Sequence, residues 1–139
     1  MARSRLATGV VAAVASGAAL VLAPAAQAAE APRLQVSRCA ADLTAALDSN
    51  AAAIDADSVG DTADARTYNL RTLVILARAG LTCSCQLARV HADIITAGTD
   101  SIHAAMSNAI GDSAAALNSE DAVEAELTDA LEVVRYTEV

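Results

Sequence analysis

The chain has 139 residues, with 17 acidic side chains against nine basic ones, and every basic residue is an arginine. A surface of that sign repels nucleic acid and anionic lipid. With no Trp or Phe and only Tyr68 and Tyr136 as aromatics, the chain also lacks stacking platforms for bases, sugars or haem. The abundance of alanine favours helix intrinsically. It also leaves a thin core, because each alanine buries little, so close helix packing has to replace side-chain bulk.

Residues 1–28 read as a signal peptide. Arg3 and Arg5 form a short positive region, Leu6 to Leu22 carries no charge, Pro24 ends the run, and Ala26-Gln27-Ala28 fits the small-x-small rule for signal peptidase. The apolar run matches the shortest membrane spans in length, but it is poor in Leu and Ile and a cleavage site follows. Cleavage after Ala28 is therefore expected, leaving residues 29–139 as one exported domain, in the periplasm or in the medium. Two of the nine arginines and none of the 17 acids precede the cut, so the processed chain is more acidic still. No later run is apolar enough to span a membrane, so stable membrane insertion is not expected after cleavage.

Four helical segments and no strand follow. In the first, expected over about Pro32 to Ala56, Val36, Cys39, Leu43, Leu47, Ala51 and Ile54 recur at spacings of three and four. A polar break at Asp57–Asp61 contains Gly60, and Asp61 or Thr62 is placed to cap the second helix. That helix carries Tyr68, Leu70, Leu73, Val74, Ile75, Leu76 and Ala77, and its apolar second half predicts the most buried element of the fold. Gly80 is placed to end it, with Leu81 folding back on it and Thr82 capping the third helix.

In the third segment Cys83, Leu87, Val90, Ile94, Gly98, Ile102, Ala105 and Ala109 fall in a single arc at about 100° per residue. This favours one helix from Cys83 to Ile110 over two pieces broken at Gly98, and it places Gly98 at a close helix crossing. Gly111-Asp112 ends it. Ser113 to Leu117 reads as one further turn. Ser119 with Glu120 and Asp121 then opens the last helix, whose apolar face is Val123, Leu127, Ala130, Leu131 and Val134. Short connections make neighbours antiparallel, and the economical arrangement is an all-α, up-down-up-down four-helix bundle. No internal repeat of useful strength is visible.

Three cysteines remain after cleavage, and an odd count in an exported chain implies one disulfide and one free thiol. Cys39 and Cys83 each precede a core leucine by four residues, whereas Cys85 lies on the opposite face of its helix. In a bundle whose first and third helices are parallel, Cys39 and Cys83 meet at one end. A Cys39–Cys83 bond is expected, with Cys85 as the alternative partner. The leftover Cys85 is open to three fates: an inert surface thiol, a covalent homodimer, or a metal ligand.

Cys85, His91, His103 and Met106 share the third segment and suggest a soft, copper-type metal. At about 1.5 Å of rise per residue they are too far apart for one ion on one helix, which leaves at most a small site at His103 and Met106. His103 otherwise pairs with Asp100, and His91 lies at the edge of the core stripe. Asp55, Asp57, Asp61 and Asp64 crowd the first turn, but their spacing departs from an EF-hand and helix capping explains them. No phosphate-binding loop, dinucleotide fingerprint, nucleophile elbow, haem attachment motif or zinc-protease motif occurs. The expectation is a non-enzymatic exported protein without a cofactor, acting by contact with a protein partner, favoured to be basic, or as a structural module. The alternative is a carrier of a small ligand or soft metal.

Overall fold

The computed structural model describes residues 23–83 and 88–137, with side chains from residue 33 onward. Four helices fill these stretches: α1 over Ala23–Ser58, α2 over Thr62–Thr82, α3 over Ala88–Ala109 and α4 over Ser113–Tyr136. Among the described residues there is no strand. α1 packs on α2 and α4, and α3 packs on the same two helices, so the bundle is square and up-down-up-down. The apolar run Leu6–Leu22 lies outside the described residues. α1 begins at Ala23 rather than at Pro32, because the alanine-rich stretch preceding the proline continues the helix.

The α1–α2 and α3–α4 turns are built alike. Gly60 and Gly111 both take φ 79°, a left-handed conformation that costs an L side chain about 1–2 kcal/mol. Asp61 accepts a hydrogen bond from the Asp64 N–H at 3.1 Å, and Asp112 accepts one from the Ala115 N–H at 3.0 Å. Each aspartate thus caps its helix. Ser119 therefore does not open the last helix; it lies inside α4, and Glu120 follows it within the same helix.

This likeness extends through the whole fold and corrects the reading that no repeat exists. The second hairpin repeats the first with an offset of 51 residues, the separation of the buried pairs Asn69–Glu120 and Asp57–Asn108. Cys39, Leu43, Ala46, Asn50, Ala53 and Asp57 of α1 are buried, and so are Val90, Ile94, Ala97, Ser101, Ala104 and Asn108 of α3. Likewise Ala65, Asn69, Thr72, Leu76, Ala79 and Cys83 match Ala116, Glu120, Val123, Leu127, Ala130 and Val134. The bundle is thus two helical hairpins about a pseudo-two-fold axis.

At the end opposite the glycine turns, Cys39 and Cys83 form a disulfide across 44 residues. Both half-cystines belong to the core cluster with Leu43, Leu76, Val90, Leu127 and Val134. One turn along α1, Asp42 binds the Arg78 Nε at 2.7 Å and the Thr82 hydroxyl at 2.8 Å. Thr82 therefore serves α2 and α1 and does not cap the third helix. α2 continues through Gly80 to Thr82, and Leu81 is 85% exposed, so no glycine stop with a folded-back leucine forms. Nor is α2 the most buried element, since Leu70 and Val74 also face outward.

The buried arc of α3 is rotated from the expected one. Ala97, Ser101, Ala104 and Asn108 point inward, while Ile102 and Ala109 are exposed and Gly98 is half-buried. Beyond Val90 and Ile94, small and hydrogen-bonding residues fill the inner side of α3 and the bulky ones face out. α3 runs unbroken through Gly98, yet an added Cβ there would meet nothing within 4 Å. Gly98 is therefore not a close crossing point.

Two sets of substitutions test these assignments. Gly60→Ala and Gly111→Ala should each cost about 1 kcal/mol through strain, whereas Gly98→Ala should stabilise by up to about 1 kcal/mol through helix propensity. Reducing the disulfide should cost roughly 4 kcal/mol on the chain-entropy model. Urea denaturation of each form measures both.

Candidate functional site

Of the residues singled out in the sequence, Cys39 and Cys83 are joined. Cys85 lies in 84–87, outside the described residues. His91 is half-buried in the first turn of α3, while His103 and Met106 are exposed near its other end. His103 Nδ1 stands 3.8 Å from Asp100 Oδ1. The rise between His91 and His103 is about 18 Å, so the fold does not bring these two imidazoles together. Among the described residues, no group of three or more His, Cys, Asp or Glu side chains converges as metal ligands would.

The fold does assemble a polar cluster that sequence periodicity missed. Asp57 and Asn50 come from α1, Asn69 from α2, Asn108 from α3 and Glu120 from α4, and all five are buried. Asn69 Nδ2 donates to Glu120 Oε1 at 2.6 Å, and Asn108 Nδ2 donates to Asp57 Oδ2 at 2.7 Å. Asn50 Nδ2 donates to the Glu120 backbone carbonyl at 2.9 Å. In both side-chain pairs a residue meets its own counterpart from the other hairpin, which puts the cluster on the pseudo-two-fold axis. The signal available in the sequence was spacing: Asn50 lies seven residues after Leu43, and Asn69 and Glu120 lie seven before Leu76 and Leu127. Two helical turns keep those positions on the core stripe.

Burial pushes the Glu120 carboxyl up to about 7; the Asn69 amide opposes that rise, and the neighbouring Asp57 carboxylate adds to it. Between α3 and α4, burial also raises Glu126, reinforced by the charges of Asp100 and Asp93.

The second feature lies on the outside. The faces of α2 and α3 that turn from the core carry Leu70, Val74 and Leu81 on one helix and Ile95, Ile102 and Met106 on the other, all exposed. Between them runs a shallow groove of about 370 Å³ lined by residues that include Leu73, Ala77, Gly80, Ile95, Gly98 and Ile102. Glycine at 80 and 98 leaves this groove open, because no side chain projects from either position. Of the exposed helical acids, Asp48, Asp55, Asp121, Glu124, Asp129 and Glu132 belong to α1 and α4, and Asp64 to the first turn of α2. Asp93 and Asp100 of α3 lie against Glu126 of α4 instead. Among the described residues no helix is long and apolar enough to cross a membrane.

Comparison with protein-family models, with characterised proteins and with solved structures found no match to this chain.

The buried acid makes a measurable prediction. Between its ordinary value near 4.5 and its raised value near 7, Glu120 holds a proton in the folded chain that it has lost in the unfolded one. Stability from this group is therefore full below about pH 4.5, falls as pH rises through 7, and levels off above that, a loss on the order of 3 kcal/mol. Glu120→Gln keeps an acceptor for Asn69 and supplies an amide donor toward Asp57. In metal-free buffer it should be more stable than the parent at pH 8 and about equal near pH 5, by urea denaturation at both.

Proposed function

We propose that this chain is an exported, non-enzymatic interaction module that docks a protein partner on the outer face of α2 and α3. The observation that carries this reading is the contiguous apolar strip left uncovered there, with Val74 71% exposed and Ile95 70% exposed. A chain rich in surface acid has no folding reason to leave Leu70, Val74, Leu81, Ile95, Ile102 and Met106 exposed together while burying alanine, serine and asparagine. Exposed patches of this kind mark contact surfaces.

The partner this face suits presents an apolar helical ridge to the groove and carries net positive charge, drawn in at long range by the acids exposed along α4, namely Asp121, Glu124, Asp129 and Glu132. Such charges speed encounter and select against acidic competitors more than they add affinity. Export is supported by the Arg3–Ala28 leader pattern and by the Cys39–Cys83 disulfide, a bond that persists in oxidising compartments.

The test is site-specific photo-crosslinking from position 95 in the exported fraction of the host. A heterologous protein should be trapped, its yield should fall with rising salt, and Val74→Asp with the crosslinker retained should reduce it at least tenfold without changing the helical circular dichroism. If the product is a second copy of this chain, or if Val74→Asp changes nothing, the proposal fails.

A further inference from the structure

The bond from Asn69 to Glu120 links α2 to α4, and the bond from Asn108 to Asp57 links α3 to α1. Both cross the bundle on its diagonals, between helices that do not pack side by side. Glu120 is in turn hydrogen-bonded to Asp57, so a contact between two carboxyl groups joins one diagonal to the other. An ionised carboxylate only accepts, so such a bond requires a proton on one of the pair.

Among the described residues no other group supplies a donor there. The amides of Asn50, Asn69 and Asn108 are directed at the Glu120 carbonyl, Glu120 Oε1 and Asp57 Oδ2, which leaves Asp57 Oδ1 and Glu120 Oε2 buried with no donor from elsewhere. The arginine ion pairs engage Asp42 and Asp129 instead. The charges that face Glu120 are those of Asp57 on α1 and Asp121 on its own helix, both negative when ionised. From α2 and α3 the pair meets the carboxamides of Asn69 and Asn108.

Little else holds this end. Asp57 and Asn108 lie in the last turns of α1 and α3, and Asn69 and Glu120 about two turns into α2 and α4. The buried apolar residues around them are Ala53, Ala65, Ala104, Ala105 and Ala116, and none belongs to the core cluster around the disulfide.

We propose that a single proton held between Asp57 and Glu120 latches the glycine-turn end of the bundle, and that its loss lets this end open as a unit while the Cys39–Cys83 end stays folded. With the proton in place, hydrogen bonds run unbroken from Asn69 through Glu120 and Asp57 to Asn108 and tie all four helices. Without it, two like charges meet where water is excluded, and only alanine contacts oppose their separation. The disulfide and the leucines and valines packed on it do not titrate, so the other end is indifferent to the change. Pseudo-symmetry limits the latch to one copy, because the counterparts of Asp57 and Glu120 are Asn108 and Asn69, which do not ionise.

The direction with pH follows from Glu120, which burial first and then the Asp57 contact raise from 4.5 to about 7. The closed end keeps a proton that the open end releases, so opening grows as pH rises above about 4.5 and levels off above 7.

The experiment uses the oxidised chain with carbon-13 in its carboxyl groups. The Glu120 Cδ and Asp57 Cγ resonances should move together through one step with a common midpoint. In native-state hydrogen exchange, amides of residues 50–57, 65–72, 104–108 and 116–120 should exchange through an opening less sensitive to denaturant than global unfolding. Its equilibrium constant should rise on the order of 50-fold between pH 5 and pH 8. Amides beside Leu43 and Leu127 should exchange only through the global step. Glu120→Gln, whose amide N–H replaces the shared proton, should abolish the rise. Asp57→Asn should move the Glu120 midpoint down, since a like charge is replaced by a donor, whereas burial alone would leave it in place. The proposal is overturned by an Asp57 resonance that does not follow the Glu120 step, a rise undiminished in Glu120→Gln, a midpoint unmoved in Asp57→Asn, or exchange of both ends through one global opening.

Discussion

The structure depends on a constraint set by its composition: alanine is the commonest buried residue, so the helices must close their interfaces with little side-chain bulk. The core of this bundle is held at one end by large residues around the Cys39–Cys83 disulfide. At the other end it closes on carboxylates and carboxamides instead, with Asp57, Asn108, Asn69 and Glu120 bonded across the axis. A disulfide restricts the unfolded chain, while hydrogen bonds across the axis fix which helices face each other. The two ends thus hold the fold by different physics.

The same constraint explains the surface. Along the later turns of α3, Ala97, Ser101 and Ala104 go in and Ile95, Ile102 and Met106 go out, while Val90 and Ile94 stay buried nearer the disulfide end. An apolar exterior beside a partly polar interior inverts the usual arrangement on the α2–α3 face. The acids meanwhile gather on α1 and α4. The two sides of the bundle therefore differ in kind, largely apolar on one and anionic on the other.

The pseudo-two-fold axis links these features. Each hairpin ends its first helix in the same glycine turn with an aspartate cap, Gly60-Asp61 and Gly111-Asp112. Each brings one carboxylate and at least one carboxamide to the axis. The halves differ at the closed end: Cys39 and Cys83 correspond to Val90 and Val134, so only one hairpin is covalently closed.

Much of the fold was legible in the sequence. Helix number, the two turns at Gly60 and Gly111 and the antiparallel order follow from local rules, namely a 3.6-residue period and capping chemistry. These are short-range properties, and short-range patterns record them. The Cys39–Cys83 pairing was read correctly, but Cys83 caps the end of α2 rather than opening the third helix, so the bond joins antiparallel neighbours and not parallel ones. Three things were decided only by tertiary structure: the rotation of α3 that exposes Ile102, the continuation of α2 through Gly80, and the meeting of Asn50, Asp57, Asn69, Asn108 and Glu120. The cluster joins partners 51 or more residues apart, and the last turn of α2 is held by Asp42, 36 residues from Arg78 and 40 from Thr82. Hydrophobic periodicity assigns polar residues to the outside; the closed bundle instead gives them partners on an axis that no single helix contains.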